Sequence, residues 1–188
     1  YNCGGYYPAG GYSNPIFKYS FTSDGNATDV ADMSESKHHV SGATDTVHGY
    51  LMCGFTGLTE VSTVEKFSYS SNANSTDIGD MPTDGYRTGG YSSTTYGYAM
   101  GGAYPMTRAI EKFNFAGSFA TATVGNIVST ARYGIASSSS TTHGYHMGGT
   151  SEPTVYNEVG KFAFASDGDA TDVGDLTTTA QYGYGTSY

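Results

Sequence analysis

The chain has 188 residues, among them 27 Gly, 18 Tyr, 47 Ser plus Thr and only three Leu, which excludes a helical bundle. Its net charge of −9 is too small for a disordered polyanion of this length, and 17 acidic against 8 basic residues offer no patch for nucleic acid or anionic membrane. Tyr, Phe, Thr, Val and Gly are the residues of short, tightly turning strands, so an all-β protein is expected.

Self-similarity runs the length of the chain. The opening string Tyr1-Asn2-Cys3-Gly4-Gly5 returns as YLMCG at Tyr50, YAMGG at Tyr98 and YHMGG at Tyr145, at intervals of 49, 48 and 47. Next comes KYSF at Lys18, repeated as KFSY at Lys66, KFNF at Lys112 and KFAF at Lys161. A third marker reads TDVADM from Thr28, TDIGDM from Thr76, TVGNI from Thr123 and TDVGDL from Thr171. A Ser/Thr-rich strand ending in HGY or YGY closes each unit. The markers define four repeats of about 47 residues in one repeat domain, at about 1–49, 50–97, 98–144 and 145–188.

Within a unit, Ile110-Glu111-Lys112-Phe113-Asn114-Phe115 predicts a strand with one buried face. SDGNATDV and SDGDATDV carry Asp-Gly turn chemistry, and Gly101-Gly102 and its counterparts end the first strand. Four short strands per unit follow, with no segment of helical period. A 40–50-residue repeat of four antiparallel strands is the blade of a β-propeller, whereas a β-helix rung needs about half that length. Phe67, Phe113 and Phe162 are expected to point into the core between blades together with Ile78, Val124 and Val173.

The Gly-Gly pair, the strand aromatic and the turn with its Arg, as in MGGAYPMTRAIEKFNF and DMPTDGYR, resemble the kelch repeat over the whole chain. That resemblance implies a kelch-like β-propeller of about four blades, either whole or part of a larger ring. The kelch blade has a Trp that this chain lacks, and Val30, Ile78, Val124 and Val173 stand in its place. The wording KFSF, SDGNATDVGDL and THGYxMGG is also similar to kelch-like repeats in virion structural proteins, of tail or fibre type, from cyanophages and related aquatic phages. This likeness implies a particle-borne, extracellular role.

Candidate chemistry is sparse. His48 and His143 hold equivalent places and could face one another near an axis, but Tyr96 replaces them in another repeat, and two imidazoles fall short of a metal site. His38-His39 reads as a solvated turn. Asp24, Asp29 and Asp32, then Asp167, Asp169, Asp172 and Asp175, superficially resemble calcium loops but lack the bidentate Glu and regular spacing, so turn capping is expected. Cys3 and Cys53 are expected as small buried hydrophobes without an assigned base, and they leave the redox compartment open. Asn26 and Asn74 match the glycosylation pattern that Asn-rich turns produce by chance. No catalytic residue, metal or cofactor is expected, because acids and histidines follow the repeat instead of breaking it.

Tyrosine remains. Tyr6, Tyr7, Tyr12, Tyr86, Tyr91, Tyr104, Tyr156 and Tyr182 fall in or near loops, where an apolar face with a hydroxyl suits glycan or protein recognition. Packing between blades is the equal alternative for these rings. Tyr7, Tyr12, Tyr86, Tyr91, Tyr104 and Tyr156 are the candidate ligand-binding residues. The sequence therefore predicts a non-enzymatic structural or adhesion module of a virion or cell surface. Its expected partners are other virion or surface proteins, further copies of itself and glycan, without membrane insertion. A carbohydrate-active propeller enzyme and an intracellular kelch interaction domain are the rival readings. The phase of the repeats, beginning at Tyr1 within one strand and stopping before the next HGY, predicts a longer array or completion by a neighbouring copy.

Overall fold

A computed structural model describes residues 1–7, 11–86 and 88–185, and all regular structure among them is β. The first sheet contains β1 (Asn2–Tyr7), β2 (Gly11–Lys18) and β3 (Thr28–Asp32). The second contains β4 (Ser41–Thr44), β5 (His48–Phe55), β6 (Glu60–Ser68) and β7 (Thr76–Asp80). The third contains β8 (Gly89–Ser92), β9 (Tyr96–Met100), β10 (Ala109–Asn114) and β11 (Thr121–Asn126). The fourth opens with β12 (Ala136–Ser139) and β13 (His143–Met147), is interrupted by a hairpin of β14 (Thr150–Ser151) and β15 (Thr154–Val155), and ends with β16 (Glu158–Ala163) and β17 (Thr171–Asp175). Neighbouring strands are antiparallel throughout, and the sheets follow one another in a propeller-like arrangement.

The sheets are offset from the sequence units. The Ser/Thr-rich strand at the end of one unit pairs with the HGY strand of the next, from Ser41↔Met52 to Thr44↔Gly49. Asp45 drives this local closure: its carboxylate accepts the N–H groups of Val47 and His48 at 2.7 and 2.6 Å, which fixes the tight turn between β4 and β5.

The inner strands explain the poverty in Leu. Ser137 Oγ lies 3.1 Å from the Gly90 N–H and donates to the Gly90 carbonyl at 2.8 Å, and the Thr44 N–H donates to Ser92 Oγ at 2.7 Å. A Cβ on Gly90 would sit 2.6 Å from the Gly42 carbonyl oxygen, so β4, β8 and β12 approach too closely for larger side chains.

One buried face per strand was the sequence expectation; the structure buries both. Ile110 and Lys112 look toward the fourth sheet, whereas Glu111 and Phe113 look toward the second, and Ile110, Glu111 and Phe113 are all buried. The reason is stacking: an internal sheet has a neighbour on each side.

Three aromatic joints fill the spaces between sheets. Tyr1 meets Phe67 and Tyr69 at 5.2 and 5.1 Å, Tyr50 meets Phe113 and Phe115 at 5.2 and 4.8 Å, and Tyr98 meets Phe162 and Phe164 at 5.6 and 5.0 Å. Each buried ring contributes about 1.5–3 kcal/mol. The Gly before Tyr50 or Tyr98 faces the preceding joint, since a Cβ on Gly49 or Gly97 would lie 2.3 Å from the ring of Phe67 or Phe113. Ile78 and Val124 pack against these cores as expected. Val173 does not: it is 48% exposed on β17, because no described sheet covers that face.

Candidate functional site

The loops β1–β2, β5–β6 and β9–β10 carry a group of aromatic rings. Tyr6 and Tyr12 flank the β1–β2 turn, Phe55 ends β5, and Tyr104 follows β9. Facing them are residues that lead into the inner strands, and these are locked to the loops by backbone pairs. His38 and Phe55 exchange N–H and carbonyl bonds at 3.1 and 3.0 Å, and the Ala103 N–H donates to the Tyr86 carbonyl at 3.0 Å.

The result is an aromatic cleft of about 390 Å³ lined by Tyr6, Tyr12, His38, His39, Phe55 and Tyr86. Tyr12 stacks on His38 at 4.9 Å with rings 6° from parallel, and Phe55 meets His38 edge-on at 5.6 Å. Tyr86 touches Phe55 at 5.3 Å and stacks on Tyr104 at 5.9 Å. Gly57, at φ +91°, makes this possible, because a Cβ there would fall 1.8 Å from the Tyr12 ring. Tyr6 and Tyr104 remain 61% and 67% exposed, so ring faces are offered to solvent along the cleft.

Of the six candidate tyrosines, the structure brings Tyr12, Tyr86 and Tyr104 together. Tyr91 lies in the core, 4% exposed, packed 5.2 Å from Tyr98 and over Gly144, because its place on β8 turns it between the third and fourth sheets. Tyr156 sits apart, under the Arg132 guanidinium at 4.3 Å, its hydroxyl 2.7 Å from Ser151 Oγ. Tyr7 ends β1, and its side chain lies outside the described residues. His38 and His39, expected as a solvated turn, join the cleft, with their Nδ1 atoms facing each other. The available signal was alignment: His38 occupies the place of Tyr86 and Tyr133, each bridged to the loop after a Gly-Gly strand.

Beside the cleft's backbone runs a buried charge pair. Lys37 Nζ lies 2.8 Å from a Glu65 carboxylate oxygen and donates to Thr63 Oγ1 at 2.8 Å. Burial alone would raise the Glu65 carboxyl, but hydrogen bonds from Lys37, Ser75 and the Ser34 N–H outweigh it and hold the group below its ordinary value. Glu111, at the same place in the third sheet, has no such lysine. Burial pushes its carboxyl up, and hydrogen bonds from Thr83 offset this only in part.

His48, His143, Asp167 and Asp169 each hold a local or inter-sheet bond. His48 lies 3.2 Å from Asp45, and His143 lies 2.9 Å from the Thr142 hydroxyl, each within its own hairpin. Asp167 pairs with Lys112 at 2.7 Å, and Asp169 accepts the Asn126 N–H at 2.9 Å, so these turns tie one sheet to the next. Among the described residues no three His, Cys, Asp or Glu side chains converge as metal ligands would. Burial raises the Cys3 thiol to about 11 and the Cys53 thiol to about 12, so neither is a thiolate at neutral pH.

A second cavity, of about 590 Å³, opens along the inner strands and is lined by hydroxyls from Thr44, Thr46, Ser92, Ser93, Ser138 and Ser140 among others. Among the described residues its one lining carboxylate is Asp45, which is bound within its own turn. No family model matches the chain, and no curated protein matches it either.

Proposed function

We propose that the chain is a non-enzymatic, kelch-like β-propeller module of a virion or cell surface, structural or adhesive in role, and that it binds glycan through the aromatic cleft. The observation that carries the reading is the grouping of Tyr6, Tyr12, His38, Phe55, Tyr86 and Tyr104 from three sheets at one end of the molecule. Stacked, partly exposed ring faces offer apolar platforms for the C–H faces of a sugar, and rim hydroxyls supply hydrogen bonds. The chain's charge of −9 opposes acidic sugars, so neutral oligosaccharides are the matching class.

The test is binding to a panel of immobilised neutral oligosaccharides by the intact chain and by Tyr12→Ala and Tyr104→Ala variants. The expected result is at least a tenfold loss of affinity in each variant with an unchanged unfolding midpoint. Equal binding by all three proteins, or binding by none, would overturn the assignment.

A further inference from the structure

Each of the three joints between successive sheets uses one recurring set of groups. The Tyr that opens each repeat on the leading sheet enters the aromatic pair of the following one: Tyr1 with Phe67 and Tyr69, Tyr50 with Phe113 and Phe115, Tyr98 with Phe162 and Phe164. Polar contacts accompany the rings in the first and third joints. Lys112 on the third sheet reaches Asp167 in the turn of the fourth at 2.7 Å. The backbone N–H of Asp32 donates to Asn74 Oδ1 at 3.1 Å, and that of Asn126 donates to Asp169 Oδ1 at 2.9 Å. The return bonds also repeat: the Ser75 N–H to the Asp32 carbonyl at 2.9 Å, and the Ala170 N–H to the Asn126 carbonyl at 2.8 Å.

The chain contains one further set, divided between its two outer faces. The fourth sheet's free face carries Tyr145, Lys161 and Val173, at the positions of Tyr98, Lys112 and Val124. The first sheet's free face carries Tyr19, Phe21 and Asp24, at the positions of Phe162, Phe164 and Asp167. These halves do not meet within the chain. Phe21 is 92% exposed and Tyr19 46% exposed, packed edge-to-face on each other at 5.4 Å. Among the described residues the ring beside Tyr145 is His143, at 6.3 Å, and no carboxylate lies within ion-pair distance of Lys161.

We infer that the face bearing Tyr145, Lys161 and Val173 binds the face bearing Tyr19, Phe21 and Asp24 of a second copy of this chain. The inference deepens the structural-module reading by naming its partner, and it rests on that reading for the existence of an assembly. Continuity with the joints already present sets the geometry: Tyr145 enters between Tyr19 and Phe21 as in all three, the Asp175 N–H donates to Asn26 as in the first and third, and Lys161 meets Asp24 as Lys112 meets Asp167 in the third. The contact is head-to-tail, so its two surfaces differ and each copy keeps one of each to offer.

The test is molecular mass by sedimentation equilibrium over a concentration series, for the wild-type chain and for Phe21→Ser, Lys161→Glu and Asp24→Lys. Assembly that rises with concentration is expected in the wild type. Phe21→Ser is expected to weaken it at least tenfold without moving the unfolding midpoint measured at concentrations where both proteins are monomeric, since the ring it removes is exposed in the single chain. Lys161→Glu and Asp24→Lys are each expected to weaken assembly. An equimolar mixture of the two is expected to restore it, because the mixed contact again sets a carboxylate opposite an ammonium, with the two signs exchanged. A wild-type monomer at every concentration, whether its two faces stay apart or close on each other, would overturn the inference. So would assembly that the three substitutions leave unchanged. Oligosaccharide binding retained by a monomer would remove this inference alone and leave the cleft's role standing.

Discussion

The third and fourth sheets are built from nearly the same residues and meet different fates. Val124 on β11 packs into the core beside Phe162, while Val173, at the same place on β17, is half exposed. Tyr98 is fully buried, whereas its counterpart Tyr145 is only half-buried. The difference does not lie in the strands themselves, since both sheets have the same order and a register shift at the same point, Ile110/Glu111 and Val159/Gly160. It lies in whether another sheet stands alongside. Burial in this architecture is a property of the joint, and a joint needs two sheets.

The largest expected effect tests that conclusion directly. Phe113→Ala, inside the joint between the second and third sheets, is expected to destabilise the chain by about 3–5 kcal/mol, while Phe21→Ala, at the place of Phe115 but on a free face, is expected to change it by less than about 0.5 kcal/mol. Urea unfolding of the isolated chain measures both. Similar losses at the two sites would mean that the outer face is packed after all.

A second comparison concerns what the sheets bury beside their aromatic rings. Where the second and third sheets hold Glu65 and Glu111, the fourth has Gly160, and His146 takes the space; a Cβ on Gly160 would lie 2.1 Å from the imidazole. Burial, with the Arg132 charge adding to it, depresses this imidazole from 6.5 to about 4. Its Nε2 accepts the Val128 N–H at 3.3 Å, and its Nδ1 has no partner among the described residues. The folded pKa lies below the unfolded one, so the contribution is fully present above pH 6.5, is lost as pH falls toward 4, and falls no further below that. The expected loss over that window is about 3 kcal/mol. His146→Leu, which copies Leu51 at the same place in the second sheet, is expected to flatten that part of the pH–stability curve. A slope that persists in the variant would assign the effect to other groups.

The smallest expected effect separates backbone strain from burial. Gly4, Gly101 and Gly148 occupy one repeat position at φ of +63°, +59° and +62°, and in the second sheet Cys53 holds φ +59° there. Relief of a left-handed non-glycine residue is worth about 1–2 kcal/mol, and loss of a small buried side chain costs a similar amount. Cys53→Gly is therefore expected to change stability by less than about 1 kcal/mol, with Cys53→Val clearly worse, both read from thermal unfolding midpoints. A loss of several kcal/mol on Cys53→Gly would show that the thiol's packing outweighs the strain.

Much of this was legible in the residues. The three markers located the strands, and composition dictated the small inner edges that Gly42, Gly90 and Ser137 form. Phe67, Phe113 and Phe162 reached the core because each large ring in a Leu-poor chain has few other places to be buried. The cleft was legible only in part: Tyr12, Tyr86 and Tyr104 stood out as loop tyrosines, but nothing local distinguished them from Tyr91, whose ring the β8 pleat turns inward. His38 escaped notice because a His-His pair reads as polar until its alignment with Tyr86 is set beside the fold.

What the sequence by itself determined is therefore local and periodic: strand positions, turn chemistry through Asp45 and its relatives, and which residue of each strand is large, small or charged. These depend on a few neighbouring residues, and four repetitions make the pattern unambiguous. What only the tertiary structure decided is which of two equivalent side chains is covered, as with Val124 and Val173, and which distant rings share one cleft. Those outcomes depend on groups far away along the chain, across joints that exist only when whole sheets stack, and no local pattern encodes the presence of the neighbour.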